Sequence, residues 1–190
     1  MTANPLRGFG VDLIACRVQD SIERFYEIER VADVSDYIVA AEREQLLVRH
    51  ADDGVELRLE LPNDDMVQII EGVSHFVYVA TRASQDRAAT ALEMEMQAEV
   101  DKWLLLAGDF ESIDVERSAA LRNRLFENVE YEHDETSELG ERYRVANRTA
   151  LRFLRRLERT HVAHRRFGEL RRELHEFFRS GQEEKLRLAQ

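Results

Sequence analysis

The sequence predicts a mainly α-helical protein, of the α+β kind with one small β-hairpin, in which about five to six helices form a bundle. Three observations predict this class. Apolar residues recur at three- and four-residue spacing along most of the chain, which is the period of an amphipathic helix. Apolar and charged residues alternate regularly near residues 45–61. The 190 residues include only 2 Pro and 8 Gly, which favours long helices with short connections.

The hairpin is the clearest β signal. In VELRLEL, which precedes Pro62, apolar and charged residues alternate as in a half-buried strand. Its partner is predicted at residues 46–49, and Asp53-Gly54 supplies the turn. Because a two-stranded hairpin is barely stable alone, we expect it to pack on helices or to gain a third strand, from residues 11–16 or from residues 37–41.

Helical periodicity accounts for most of the rest. The predicted helices cover residues 19–32, 63–83, 84–108, 112–126, 137–166 and 169–180. Asn63 or Asp64 caps the second of these, which is apolar almost all round between residues 76 and 80 and is therefore expected to be central. Gly168 is predicted to break or bend the helical segment between the last two helices, and Gly181 is predicted to end the final helix.

The charge of the chain is unevenly distributed within what we expect to be a single domain, residues 1–190. Residues 1–140 carry 31 Asp and Glu against 13 Lys and Arg, whereas residues 141–190 carry 7 against 14; the whole chain has a net charge of −11. The basic C-terminal helices can bind a polyanion or dock on the acidic N-terminal part. Docking is the favoured interpretation.

Composition and motifs exclude several classes. One cysteine, Cys16, allows no intramolecular disulfide and no cysteine zinc cage. The longest apolar run is too short for a bilayer, and the N-terminal sequence lacks a signal-peptide core, so we expect a soluble cytoplasmic protein. The sequence contains no phosphate loop, G-x-S-x-G, H-E-x-x-H or C-x-x-C motif, which argues against P-loop and serine-hydrolase chemistry.

A carboxylate–histidine metal site is one hypothesis for function. Helical bundles build such sites from Glu-x-x-His pairs and neighbouring carboxylates, and this chain has two such pairs, Glu158/His161 and Glu130/His133. Glu71 precedes a further histidine by four residues. The candidate ligands for iron, manganese or zinc are His75, Glu99, Glu158, His161 and His164. Chance also produces such pairs in an acidic chain, so hydrogen-bonded histidines are the favoured interpretation.

A ridge of arginines is the basis of a second hypothesis. Arginines recur at three- and four-residue spacing along the predicted helix 137–166, at Arg144, Arg148, Arg152, Arg155 or Arg156, and Arg159. Such a ridge suits phosphate contacts and hence a nucleic-acid partner. Few aromatic residues accompany it and several glutamates interrupt it, which favours a solvated or internally paired helix face.

Self-association is the third hypothesis, and it requires neither a metal site nor a phosphate-binding surface. The apolar stripe of the predicted helix 84–108, with Met94, Met96 and Trp103, suits a helical partner, although such stripes more often form the core. The leading prediction is a non-enzymatic binding or interaction protein that forms homo-oligomers, without a cofactor and without a membrane partner. The alternatives are a metal-dependent enzyme and a nucleic-acid binder.

Overall fold

The mainly α-helical class is confirmed. The computed structural model describes residues 9–51, 54–108, 111–127, 129, 131 and 133–190. Within these residues there are seven α-helices and one three-stranded sheet. The chain divides into two compact units, Met1–Ala88 and Ala89–Gln190, and the prediction of one domain stays a prediction.

The first unit combines the sheet with two helices. Its elements are α1 (Phe9–Tyr26), β1 (Ile38–Ala40), β2 (Gln45–Ala51), β3 (Gly54–Leu61) and α2 (Met66–Ser84), with a short 3-10 helix at Val34–Asp36. The strand order is β1-β3-β2; β2 and β3 form the predicted antiparallel hairpin, and β1 pairs with β3 in parallel. Position 53 of the predicted turn lies outside the described residues.

The third strand comes from the second of the two predicted segments. β1 lies within residues 37–41, whereas the alternative, residues 11–16, was wrong because those residues belong to α1. Leu59 and Leu61 of β3 are fully buried, and β3 contacts α2. α2 begins after Asp65, whose carboxylate accepts hydrogen bonds from the backbone N–H groups of Val67 and Gln68, so the predicted caps Asn63 and Asp64 were wrong.

The second unit is entirely helical in its described residues. Its helices are α3 (Ala91–Ala107), α4 (Val115–Phe126), α5 (Glu138–Thr160), α6 (Phe167–Arg179) and α7 (Gln182–Leu188). The predicted start of α3 at residue 84 was wrong, because Thr90 and Glu93 form a capping box that begins the helix later. The apolar stripe of α5 is core: Ala150, Phe153 and Leu157 are fully buried, and the Phe153 and Phe177 rings stack 4.3 Å apart.

The helix predicted to reach residue 166 ends earlier. α5 ends at Thr160, and a 3-10 turn at Val162–His164 follows. Arg165 has a left-handed backbone with φ of 54°, a conformation that interrupts a right-handed helix. Gly168 therefore does not separate the two helices but lies inside α6. Gly181 precedes α7 as its N-cap.

None of the helices in the described residues combines the length and apolar character needed to cross a bilayer.

Candidate functional site

Glu158 of α5, a predicted metal ligand, is buried and accepts hydrogen bonds from two residues of α4. Its Oε1 accepts a hydrogen bond from Ser118 Oγ at 2.6 Å, and its Oε2 accepts one from Arg122 Nε at 2.8 Å. Glu158 is 6% exposed and Arg122 is 9% exposed. Because both carboxylate oxygens are bound by protein donors in a water-poor site, this ion pair joins the two helices.

His161 follows the last residue of α5 and is tied to α6. Its Nε2 lies 2.6 Å from Glu173 Oε1, and Arg156 Nη1 lies 2.6 Å from the other oxygen of Glu173. Burial raises the pKa of Glu173, but the hydrogen bonds from His161 and Arg156 outweigh it and lower that pKa below its usual value. Glu173 thus stays ionised and holds both neighbours.

The other predicted ligands of the second unit are dispersed. His164, another predicted ligand, is exposed in the 3-10 turn. Glu99 forms an ion pair with Lys102 at 2.9 Å. Over the part of the second unit that the structure describes, no three His, Cys, Asp or Glu side chains bring ligand atoms within 4.8 Å of one another. The structure therefore does not gather Glu99, Glu158, His161 and His164, and Glu130 lies outside the described residues.

His75 lies in the first unit, on α2, between two carboxylates. Its Nδ1 is 3.3 Å from Glu44 Oε1, and both side chains are about nine-tenths buried. A ligand nitrogen of His75 and a carboxylate oxygen of Glu71 lie within 4.8 Å of each other. The predicted Glu71/His75 spacing thus places these two residues together.

Glu44 reaches His75 because Gly72 leaves room for it. A Cβ atom at Gly72 would lie 2.8 Å from Glu44 Cγ, well inside van der Waals contact. The backbone N–H of Glu44 also donates to Gln68 Oε1 at 3.0 Å. Glu44 could not be predicted from the sequence because it lies 31 residues from His75, and no local period relates the two.

An open pocket lies between α5 and the last two residues of the chain. It has a volume of about 360 Å³ and is lined by Arg152, Arg155, Arg156, Arg159, Ala189 and Gln190. We call it the arginine pocket. All four of its arginines belong to the predicted ridge, so this part of the ridge forms a concave surface.

Two of the four arginines are anchored by carboxylates. Arg155 forms an ion pair with Glu127. Arg156 pairs with Glu173, and its Nε donates to the carbonyl oxygen of Leu188 at 3.2 Å. These contacts hold two guanidinium groups at the wall of the pocket.

The other two, Arg152 and Arg159, have no ion-pair partner among the described residues. Both are exposed. Arg152 lies four residues from Arg156, and Arg155 lies four residues from Arg159, so like charges are neighbours on the helix surface, which is unfavourable. Arg159 lies in the last turn of α5, where the helix dipole offsets part of this repulsion. An anion bound in the pocket would reduce the repulsion that remains between the guanidinium groups.

The docking interpretation of the charge asymmetry has structural support within the second unit. Ion pairs join arginines after residue 140 to acidic residues before it: Arg142–Glu95, Arg155–Glu127 and Arg171–Glu111. These three ion pairs neutralise part of the basic segment internally.

No protein-family model matches the chain, and neither a curated protein nor a solved structure is significantly similar to it.

Proposed function

We propose that this chain is a non-enzymatic binding protein that holds a small phosphate-bearing anion in the arginine pocket. The observation that carries the proposal is the pairing of two anchored arginines with two arginines that have no ion-pair partner among the described residues, all lining one concavity. Guanidinium groups match phosphate oxygens in pairs and keep their charge throughout the physiological pH range.

The size of the pocket favours a small ligand. A volume of about 360 Å³ lies at the lower end of the range of small-molecule sites, roughly 300 to 1,000 Å³. The six lining residues supply guanidinium groups and an amide, and none of them is a nucleophile or a general base. These properties support binding over catalysis.

Nucleic acid is less well supported than a small phosphate. A polymer needs an extended row of available cations, but Arg144 is directed to the carbonyl oxygens of His133 and Gly140. The arginines outside the pocket that pair with glutamates also contribute little attraction over a longer surface. We further propose that the protein is cytoplasmic and that it self-associates.

Pyrophosphate binding tests the proposal. Isothermal titration of the full chain is expected to show binding that weakens between about 50 and 200 mM salt. The double variant Arg152→Gln/Arg159→Gln is expected to bind at least about tenfold more weakly, because each charge-assisted hydrogen bond contributes about 1.5 to 3 kcal/mol when shielded and less at an open site.

Arg148→Gln is the matched control, since Arg148 is an exposed arginine of the same helix that does not line the pocket. It is expected to bind pyrophosphate like the unmodified chain. No binding by the unmodified chain, or an equal loss in the control, would overturn the proposal. Tighter binding to duplex DNA than to pyrophosphate, weakened equally by all three substitutions, would support the nucleic-acid hypothesis instead.

A further inference from the structure

We propose that Glu71 and His75 of α2 bind a divalent transition-metal ion, and that Glu44 orients the imidazole for this purpose. This site is independent of the arginine pocket and lies within the first unit. Carboxylate and imidazole ligands together suit zinc, manganese or iron.

The helix brings the two ligands together. Residues four apart lie one above the other on a helix face, and the ligand atoms of Glu71 and His75 lie within 4.8 Å of each other. Two atoms that bind one metal at about 2.0 to 2.2 Å lie at most about 4.4 Å apart. The spacing of the two ligand atoms is therefore close to the spacing that one shared ion requires.

Glu44 fixes the imidazole in the form that binds metals. Its Oε1 lies 3.3 Å from His75 Nδ1, so this oxygen can accept a hydrogen bond from an N–H at Nδ1. The lone pair is then on Nε2. Histidines that ligate metals commonly donate their other N–H to a carboxylate, which fixes the ring and makes it a better ligand.

The surroundings of His75 indicate a constructed site rather than a chance contact. Gly72 leaves the space through which Glu44 approaches, and Gln68 holds the backbone of Glu44. The side chains of Glu44 and His75 are 10% and 7% exposed.

Metal content and affinity test this proposal. The chain is stripped with a chelator, dialysed, and titrated with Zn²⁺ or Mn²⁺ against a chromophoric indicator. We expect about one equivalent to bind. Glu71→Gln removes a ligand oxygen with little change of shape and is expected to abolish that binding, whereas Glu44→Gln is expected to weaken it by about 10- to 100-fold.

His164→Gln is the matched control, because His164 is exposed and lies in the second unit. It is expected to keep full affinity. Circular dichroism verifies that each variant is folded. A second measurement needs no variant: substoichiometric Mn²⁺ is expected to broaden the NMR signals of the His75 ring before those of His164.

Two outcomes would overturn the proposal. One is binding of less than about a tenth of an equivalent by the unmodified chain at ion concentrations well above those of typical weak sites. The other is preferential broadening at histidines other than His75. Pyrophosphate binding in the absence of metal is unaffected by either result, so this proposal and the proposed function fail separately.

Discussion

Removing Glu158 is expected to destabilise the second unit strongly. In Glu158→Ala, Arg122 and Ser118 each lose a hydrogen-bond partner at 2.8 and 2.6 Å in a site where all three residues are at least nine-tenths buried. Breaking a buried ion pair by removing one member costs about 3 to 5 kcal/mol. Arg122 retains Glu127 at 2.9 Å, so we place the loss at the lower limit, about 3 kcal/mol.

The single tryptophan makes this loss measurable. Trp103 is fully buried on α3, in the same unit as Glu158, so its fluorescence follows unfolding of that unit in urea. With an m value of about 1.5 kcal/mol per M, the midpoint is expected to fall by about 2 M. Glu141→Gln, at an exposed position of the same helix, is the control and is expected to shift the free energy by no more than about 0.5 kcal/mol.

A double-mutant cycle separates the ion pair from simple loss of packing. Arg122→Met/Glu158→Leu removes both charges, leaves no uncompensated ion, and is expected to be less destabilising than the sum of its single substitutions by at least about 1 kcal/mol. Additive effects in the cycle, or a Glu158→Ala midpoint within about 0.3 M of the unmodified chain, would show that this contact does not join the helices as argued.

Three further predictions concern the rest of the molecule. Gly72→Ala places a Cβ 2.7 Å from Leu61 Cδ2; we expect this overpacking to exceed the gain in helix propensity and to lower stability by about 1 to 2 kcal/mol in thermal unfolding, and an increase in stability would contradict the packing. Glu173 has a lowered pKa in the folded chain, so its contribution is present above the usual carboxyl pKa of 4.5 and is lost as the pH falls through and below it. Glu173→Gln should therefore flatten the acid limb of the melting-temperature profile, and an unchanged limb would contradict this. Self-association predicts a sedimentation coefficient that rises with concentration, whereas a strict monomer at every concentration would contradict it.

Period and composition predicted most of the elements, but they missed α7 (Gln182–Leu188) and did not locate the ends of the helices. The alternation around Leu59 and Leu61 identified β3 because one face of that strand is buried. The apolar stripe of α5 could be predicted for the same reason, because its residues are buried. The ends of helices depend on single capping groups: Thr90 and Glu93 form a capping box that the sequence contains, but Ser84 offered a competing start. Nothing in the local sequence marks the left-handed residue Arg165 that ends the long helix.

The sites were only partly predictable, for a physical reason. Spacing reports which residues share a helix face, so it identified the arginines of the pocket and the Glu71/His75 pair. It does not report which carboxylate from elsewhere in the chain meets a given cation. Whether Arg156 or Arg159 is paired depends on where Glu173 lies, and that is decided by the packing of α6.

Because α5 ends early, His161 contacts a carboxylate of α6 and does not take the predicted role of a metal ligand. The chain turns after Thr160, and the imidazole of His161 meets Glu173 of α6. The second oxygen of that carboxylate holds Arg156 at the wall of the pocket. A carboxylate held from both sides keeps one position, and the guanidinium group that it binds is correspondingly fixed. His161 therefore contacts the pocket only through Glu173, which it shares with the lining residue Arg156.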